Sequence, residues 1–164
     1  MGMTMKTVDI TYRYETRDTP ATPRPLDSIS ALGRLNDGNL AFARLLDEST
    51  KEHVERIISV DSRDLGLGDT NFPKQRPFAA ILGCSDARVP VELIFNEGPN
   101  ELFVIRVAGN GLGTEILGSL KYAVNNLRGS LKLIVVLGHG KGRPGQASQS
   151  VRRSVHETPW YRTR

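Results

Sequence analysis

"FAAILGCSDARVP", residues 78–90, is the stretch whose reading decides the fold class. From Phe78 to Gly83 every residue is apolar or small, and the chemistry then turns abruptly to Cys84, Ser85, Asp86 and Arg88. An unbroken apolar run of this length predicts a β-strand covered on both faces, because a strand with one wet face alternates. Two runs of the same kind follow, "ELFVIRVAG" (101–109) and "LKLIVVLGH" (131–139), each ending at a glycine or polar residue. Between them "TEILGSLKYAVNNLRG" sets Ile116, Leu117, Leu120, Ala123, Val124 and Leu127 at helical spacing, with Gly129 as the expected C-cap. Alternation of strand and helix predicts an α/β domain, a central and mainly parallel β-sheet flanked by helices.

Upstream, "SISALGRLNDGNLAFARLLDES" (28–49) has helical spacing, with Gly38 expected to divide it into two pieces. Residues 50–60 are expected to continue in helix with Val54, Ile57 and Ile58 buried, completing an N-terminal helical arm on the sheet domain. Residues 1–27 are polar, with Pro20, Pro23 and Pro25 close together, and predict an arm that is extended or disordered. The domain is therefore drawn over 28–141. Beyond Lys141 periodicity is lost, and 142–164 form an atypical Arg-rich tail, expected to be disordered.

Charge follows that division. The chain of 164 residues carries +4, and five arginines against the single acid Glu157 within 142–164 account for all of it. The domain itself is neutral, and the tail lacks the aromatic spacing of a stacking surface, so no nucleic-acid partner is expected. No run approaches the length of a membrane span, and the N-terminus has no apolar signal core, so no membrane partner is expected either. A single cysteine forms no internal disulfide, and the expected location is the cytoplasm.

In parallel sheets chemistry gathers beyond the C-terminal ends of the strands, where Cys84, Asn110 and His139 fall. Three roles are open to Cys84. A lone cysteine at a strand end is commonly a small buried hydrophobe. As a nucleophile it needs a base or an anion cradle, and its spacing to Arg88 is too short for a phosphate-cradling loop. As a metal ligand it has company: Asp86 leaves the strand end on the same side, and His139 can arrive from a neighbouring strand. Thiolate, carboxylate and imidazole together suit zinc. Spacing alone serves equally well for Asp86 and Arg88 as an ion pair closing the loop or as a gate on a metal, and for His139 as a structural residue. His53, on a charged helical stretch, and His156, in the tail, read as solvated. "GNGLGTE" is a poor match to a phosphate-binding loop.

Taken together the motifs are recognisable. "CSDARVP" resembles the Cys-x-Asp-x-Arg signature of the β-class carbonic anhydrases, and "GNLAFAR", "KQRPFAAILGCSDARVPVELIFNEGPNELFVIRVAGN", "EILGSLKYAV" and "LIVVLGHGK" extend the resemblance over roughly residues 28–141. The resemblance implies a lyase, a carbonate dehydratase interconverting CO2 and bicarbonate, with one zinc ion per chain that lowers the pKa of bound water to about 7. It implies Cys84 and His139 as zinc ligands, and Asp86 with Arg88 as a gating dyad in which Asp86 either ligates zinc or pairs with Arg88. Gln75 would donate a hydrogen bond to substrate, and Phe95, Val107 and Tyr122 are weaker candidates for lining the CO2 pocket. It also implies a homodimer or higher oligomer built through the N-terminal helices.

One departure matters. The second zinc motif of the family is His-x-x-Cys, and aligned on His139 its cysteine falls on Gly142. The chain has no other cysteine. The expectation is a truncated or frameshifted member with an incomplete β-carbonic anhydrase fold, weakened zinc binding, impaired activity and uncovered apolar sheet surface. The alternative is an inactive pseudoenzyme that binds zinc weakly or not at all.

Overall fold

The computed structural model describes residues 7–15, 23–45, 53–65 and 74–139. The elements, in order, are β1 (Thr7–Glu15), α1 (Ser28–Leu45), β2 (His53–Asp61), β3 (Ala79–Gly83), α2 (Val91–Phe95), β4 (Leu102–Arg106), α3 (Thr114–Asn126) and β5 (Leu133–Leu137). The tail, 142–164, lies outside the described residues. Among the described residues no helix is long and apolar enough to cross a membrane.

The three apolar runs form one parallel sheet in the order β4-β3-β5. Its register is flush: Ala79 pairs with Leu102 and Leu133, and Gly83 with Arg106 and Leu137. All of β3 is buried, as an apolar central strand requires. One face packs Phe78, Ile81, Leu133, Val135 and Leu137 against Ala31 and Leu35 of α1 and Val91 and Phe95 of α2. On the other face Ala80 packs with Ala123 and Leu127 of α3. β5 departs from expectation, because its second face stays partly wet at Ile134 and Val136 although the run is apolar throughout.

α1 starts at a reciprocal cap. Asp27 Oδ1 accepts the Ser30 N–H at 2.7 Å, and Ser30 Oγ accepts the Asp27 N–H at 3.3 Å. The Ser30 N–H, with Ser30 Oγ also donating to Oδ1 at 2.7 Å, holds the Asp27 carboxyl below its ordinary range. The expected break at Gly38 is absent, and α1 runs as one helix through it. Gly38 is there because the chain crosses the end of α2: a Cβ at this position would lie 1.8 Å from the Phe95 carbonyl oxygen.

Two further expectations, helix over 50–60 and a C-cap at Gly129, are corrected. Residues 53–61 are strand β2, with Arg56, Ile58 and Val60 buried on alternate positions. β2 pairs in parallel with β1, so residues 7–15 of the polar arm are strand as well. α3 ends at Leu127, whose N–H bonds the Ala123 carbonyl, and not at Gly129.

Arg34 of α1 ties the helix to the loop after α2. It donates from Nε to Glu97 Oε1 at 2.9 Å and from NH2 to Oε2 at 2.5 Å, and its guanidinium lies 4.8 Å from the Phe78 ring centroid. Burial dominates at Glu97 and pushes its carboxyl up to about 7, against the pull of Arg34.

Candidate metal centre

The flush register carries the next residues of all three strands to one end of the sheet. Val107 N–H donates to the Gly83 carbonyl at 3.0 Å, and Ser85 N–H to the Val107 carbonyl at 3.3 Å, which keeps the chain after β3 beside the chain after β4. Asn110 sits at φ 56° and donates from Nδ2 to the Leu137 carbonyl at 2.9 Å, pinning the end of β5. Cys84, Asn110 and His139 are thereby neighbours in space as well as in topology.

Cys84 is half-buried and unpaired by any disulfide. Its thiol shares a hydrogen bond with His139 and receives the backbone N–H groups of Asp86, at 3.4 Å, and of Gly109. Those partners favour the thiolate, His139 most of all, and bring the thiol down to about 7. Asp86 turns to Arg88: Oδ1 accepts Arg88 Nε at 3.0 Å and the Arg88 N–H at 2.9 Å, and Oδ2 accepts NH2 at 2.6 Å. This fork holds the Asp86 carboxyl far below the usual carboxylate range and lifts Arg88.

Arg106, at the last position of β4, was not singled out by sequence. It donates from Nε to the Cys84 carbonyl at 3.0 Å and from NH2 to the Asp86 carbonyl at 2.7 Å, fixing the loop that carries both residues. The signal was present, since Arg106 is the single charged residue in the run "LFVIRVAG". Asn110 Oδ1 is buried at this end of the sheet with no hydrogen-bond partner.

The remaining candidates lie elsewhere. Gln75 is exposed before β3, at the opposite strand end from Cys84. Five strand residues at about 3.3 Å each separate those ends by about 16 Å. Phe95 belongs to the core between α1 and the sheet, and Tyr122 stacks on Phe103 at 6.1 Å on the α3 side. Val107 alone of the three lies at the Cys84 end. His53 is on strand β2, where Nε2 meets Asp9 Oδ2 at 2.7 Å. Gly142 and His156 lie outside the described residues.

Cys84 and His139 converge as two donors of a zinc site would. Zinc takes four ligands, three of them from protein where water holds the fourth position. Asp86 is committed to Arg88, and among the described residues no group of three His, Cys, Asp or Glu side chains is placed to hold a metal ion. The described donor set therefore fits half of a zinc site and not the whole.

Residues 79–157 match the family profile described as carbonic anhydrase, a range that runs on past Lys141. A carbonic anhydrase of Mycolicibacterium smegmatis is 36% identical over 111 residues, 68% of this chain and 48% of the relative. Carbonic anhydrase 2 of Mycobacterium tuberculosis is 49% identical over 112 residues, 68% of this chain and 47% of the relative. Among solved structures a Coccomyxa β-carbonic anhydrase in complex with acetazolamide aligns with TM-score 0.39 and 32% identity, over 48% of this chain and 34% of that one. Over the matched part, the chain is similar to carbonic anhydrases. The chain spans about half the length of the curated relatives it matches.

Proposed function

We propose that the chain derives from an enzyme for the reversible hydration of CO2 to bicarbonate, with Cys84, His139 and Asp86 as its share of the zinc ligands and Asp86 with Arg88 as the gate. The observation that carries this reading is the meeting of Cys84 and His139 at adjacent strand ends, beside an Asp86 held by Arg88. Gln75, at the far end of β3 from Cys84, does not reach this site within its own chain, and the setting is proposed as a cytoplasmic homodimer or higher oligomer. Within this reading Arg88 holds Asp86 ionised and turned away, Arg106 holds the loop, and the Asp86 and Gly109 N–H groups steady the thiolate.

Position 142 is the reason to expect impairment, because a glycine supplies no ligand where the family motif has a thiolate. Zinc content and stopped-flow CO2 hydration of the purified chain and of Gly142→Cys test both halves of the proposal. The expected result is zinc well below one per chain with little hydration, and a rise in bound zinc in the variant. Stoichiometric zinc with fast hydration in the unmodified chain would overturn the impairment. Zinc regained without hydration in the variant would favour the pseudoenzyme reading.

A further inference from the structure

β1 and β2 form a two-stranded parallel ribbon whose outer strand has an open edge. Parallel strands ordinarily lie inside covered sheets, and a two-stranded ribbon is marginal by itself. Among the described residues β1 pairs with β2 along one edge and with nothing along the other. The strand is nine residues long, "TVDITYRYE", without proline or lysine, and Ile10, Tyr12 and Tyr14 are between 37% and 54% exposed. A long open edge with this much exposed apolar surface is one that proteins cover.

We propose that a second copy of this chain covers it, with β1 pairing antiparallel to β1 of the other copy about a twofold axis through Thr11. The sequence of β1 is self-complementary in that register. Pairing all nine residues sets Thr11 opposite itself and Asp9 opposite Arg13 twice, once on each side of the axis. On the other face it sets Ile10 opposite Tyr12 and Val8 opposite Tyr14, aromatic against aliphatic. Other in-face registers lose this match: an axis at Tyr12 places Asp9 against Glu15, and an axis at Ile10 places Asp9 against Thr11 and Arg13 against Thr7. Asp9 meets His53 through Oδ2, so Arg13 of the second copy approaches Oδ1.

Burial points the same way. Ile10, Tyr12 and Tyr14 stand in register with Arg56, Ile58 and Val60 of β2, and those three are buried. The apolar layer that begins under β2 continues onto β1 and stops at the open edge. Pairing produces a four-stranded sheet, β2-β1-β1-β2, in which that layer is continuous. The interface involves none of the residues around Cys84 and is independent of the carbonic anhydrase reading.

A cysteine on the axis tests the register. Paired residues in an antiparallel ladder have Cα atoms about 4.5–5.5 Å apart, within disulfide range. In a Cys84→Ser background, Thr11→Cys should form a disulfide-linked dimer on mild oxidation. Glu15→Cys should not, since its own counterpart lies eight residues along, about 27 Å away. By sedimentation, Arg13→Asp should weaken self-association about tenfold, and adding Asp9→Arg should restore it by reversing both pairs. Circular dichroism confirms that each variant is folded. No crosslink at Thr11, equal crosslinking at both positions, or a double variant no better than Arg13→Asp would each overturn the proposal, including where the chain self-associates through another surface.

Discussion

Arg106 and His139 act on Cys84 from opposite sides. Arg106 holds the carbonyls of Cys84 and Asp86, while His139 bonds the thiol itself. With the thiol depressed to about 7, the folded chain holds thiolate more readily than the unfolded one, so this contribution to stability is present above the ordinary thiol range and is lost as pH falls through about 7. In chelator-treated protein, iodoacetamide alkylation of Cys84 should show a midpoint near pH 7. His139→Ala should move the midpoint up toward the ordinary value of about 8.5, because the leading cause of the shift is gone. An unmoved midpoint would show that the backbone N–H groups alone set it. Arg106→Ala should broaden the alkylation profile by freeing the loop, and Arg106→Lys should restore part of it. At this scale the side chains were largely legible: Cys84, Asp86, Arg88 and His139 announce themselves by residue type at strand ends. Arg88 as the partner of Asp86 was legible, but whether Asp86 pairs with it or turns to a metal was not, because two rotamers of one carboxylate share one sequence. Nor was the Gly109 N–H, a backbone donor with no side-chain mark.

At the scale of elements, Gly38 and Glu97 decide how α1 sits on the sheet. Gly38→Ala would favour an isolated helix by about 1 kcal/mol, so a stabilised variant would mean the close contact is unimportant. The contact is with backbone, the Phe95 carbonyl, which moves less readily than a side chain, and overpacking of this kind costs about 1–3 kcal/mol or more. A net loss of about 2 kcal/mol is expected by urea unfolding. Glu97 gives α1 a pH dependence. Burial raises its folded pKa to about 7, from an ordinary glutamate value of 4.5, so the native state keeps a proton that the unfolded state has released. Its contribution is full below about 4.5 and declines as pH rises through about 7. Glu97→Gln should flatten the fall in thermal midpoint across that window, and a slope equal to that of the parent would count against the assignment. β3, β4, β5 and α3 were legible because their apolar patterns are local. β2 was not: Ile57 and Ile58 satisfy a helical pattern, a buried position holds Arg56, and the deciding pairing is with β1, more than forty residues earlier. Gly38 reads as a helix breaker until the element crossing it is known.

Across the molecule, the two faces of the three-stranded sheet are covered unequally. α1 and α2 close one face over all three strands, while α3 packs on β3 and β4 and leaves Ile134 and Val136 of β5 more than a third exposed. Leu117, Tyr122 and Val124 of α3 are exposed as well. Exposed apolar side chains of this kind bind hydrophobic dyes and drive association. Replacing Ile134 and Val136 together by threonine removes apolar surface while keeping β-branched side chains suited to a strand. If the patch is wet in solution, the double variant should bind less anilinonaphthalene sulfonate and scatter less light on standing, with stability changed by no more than about 1 kcal/mol. If these side chains are covered in solution, the same change buries two hydroxyl groups, at about 1–3 kcal/mol each where they find no partner. The thermal midpoint then falls and dye binding rises. The sign of the dye response therefore distinguishes an open sheet face from a covered one, independently of zinc and of the β1 edge, which lies on the other sheet.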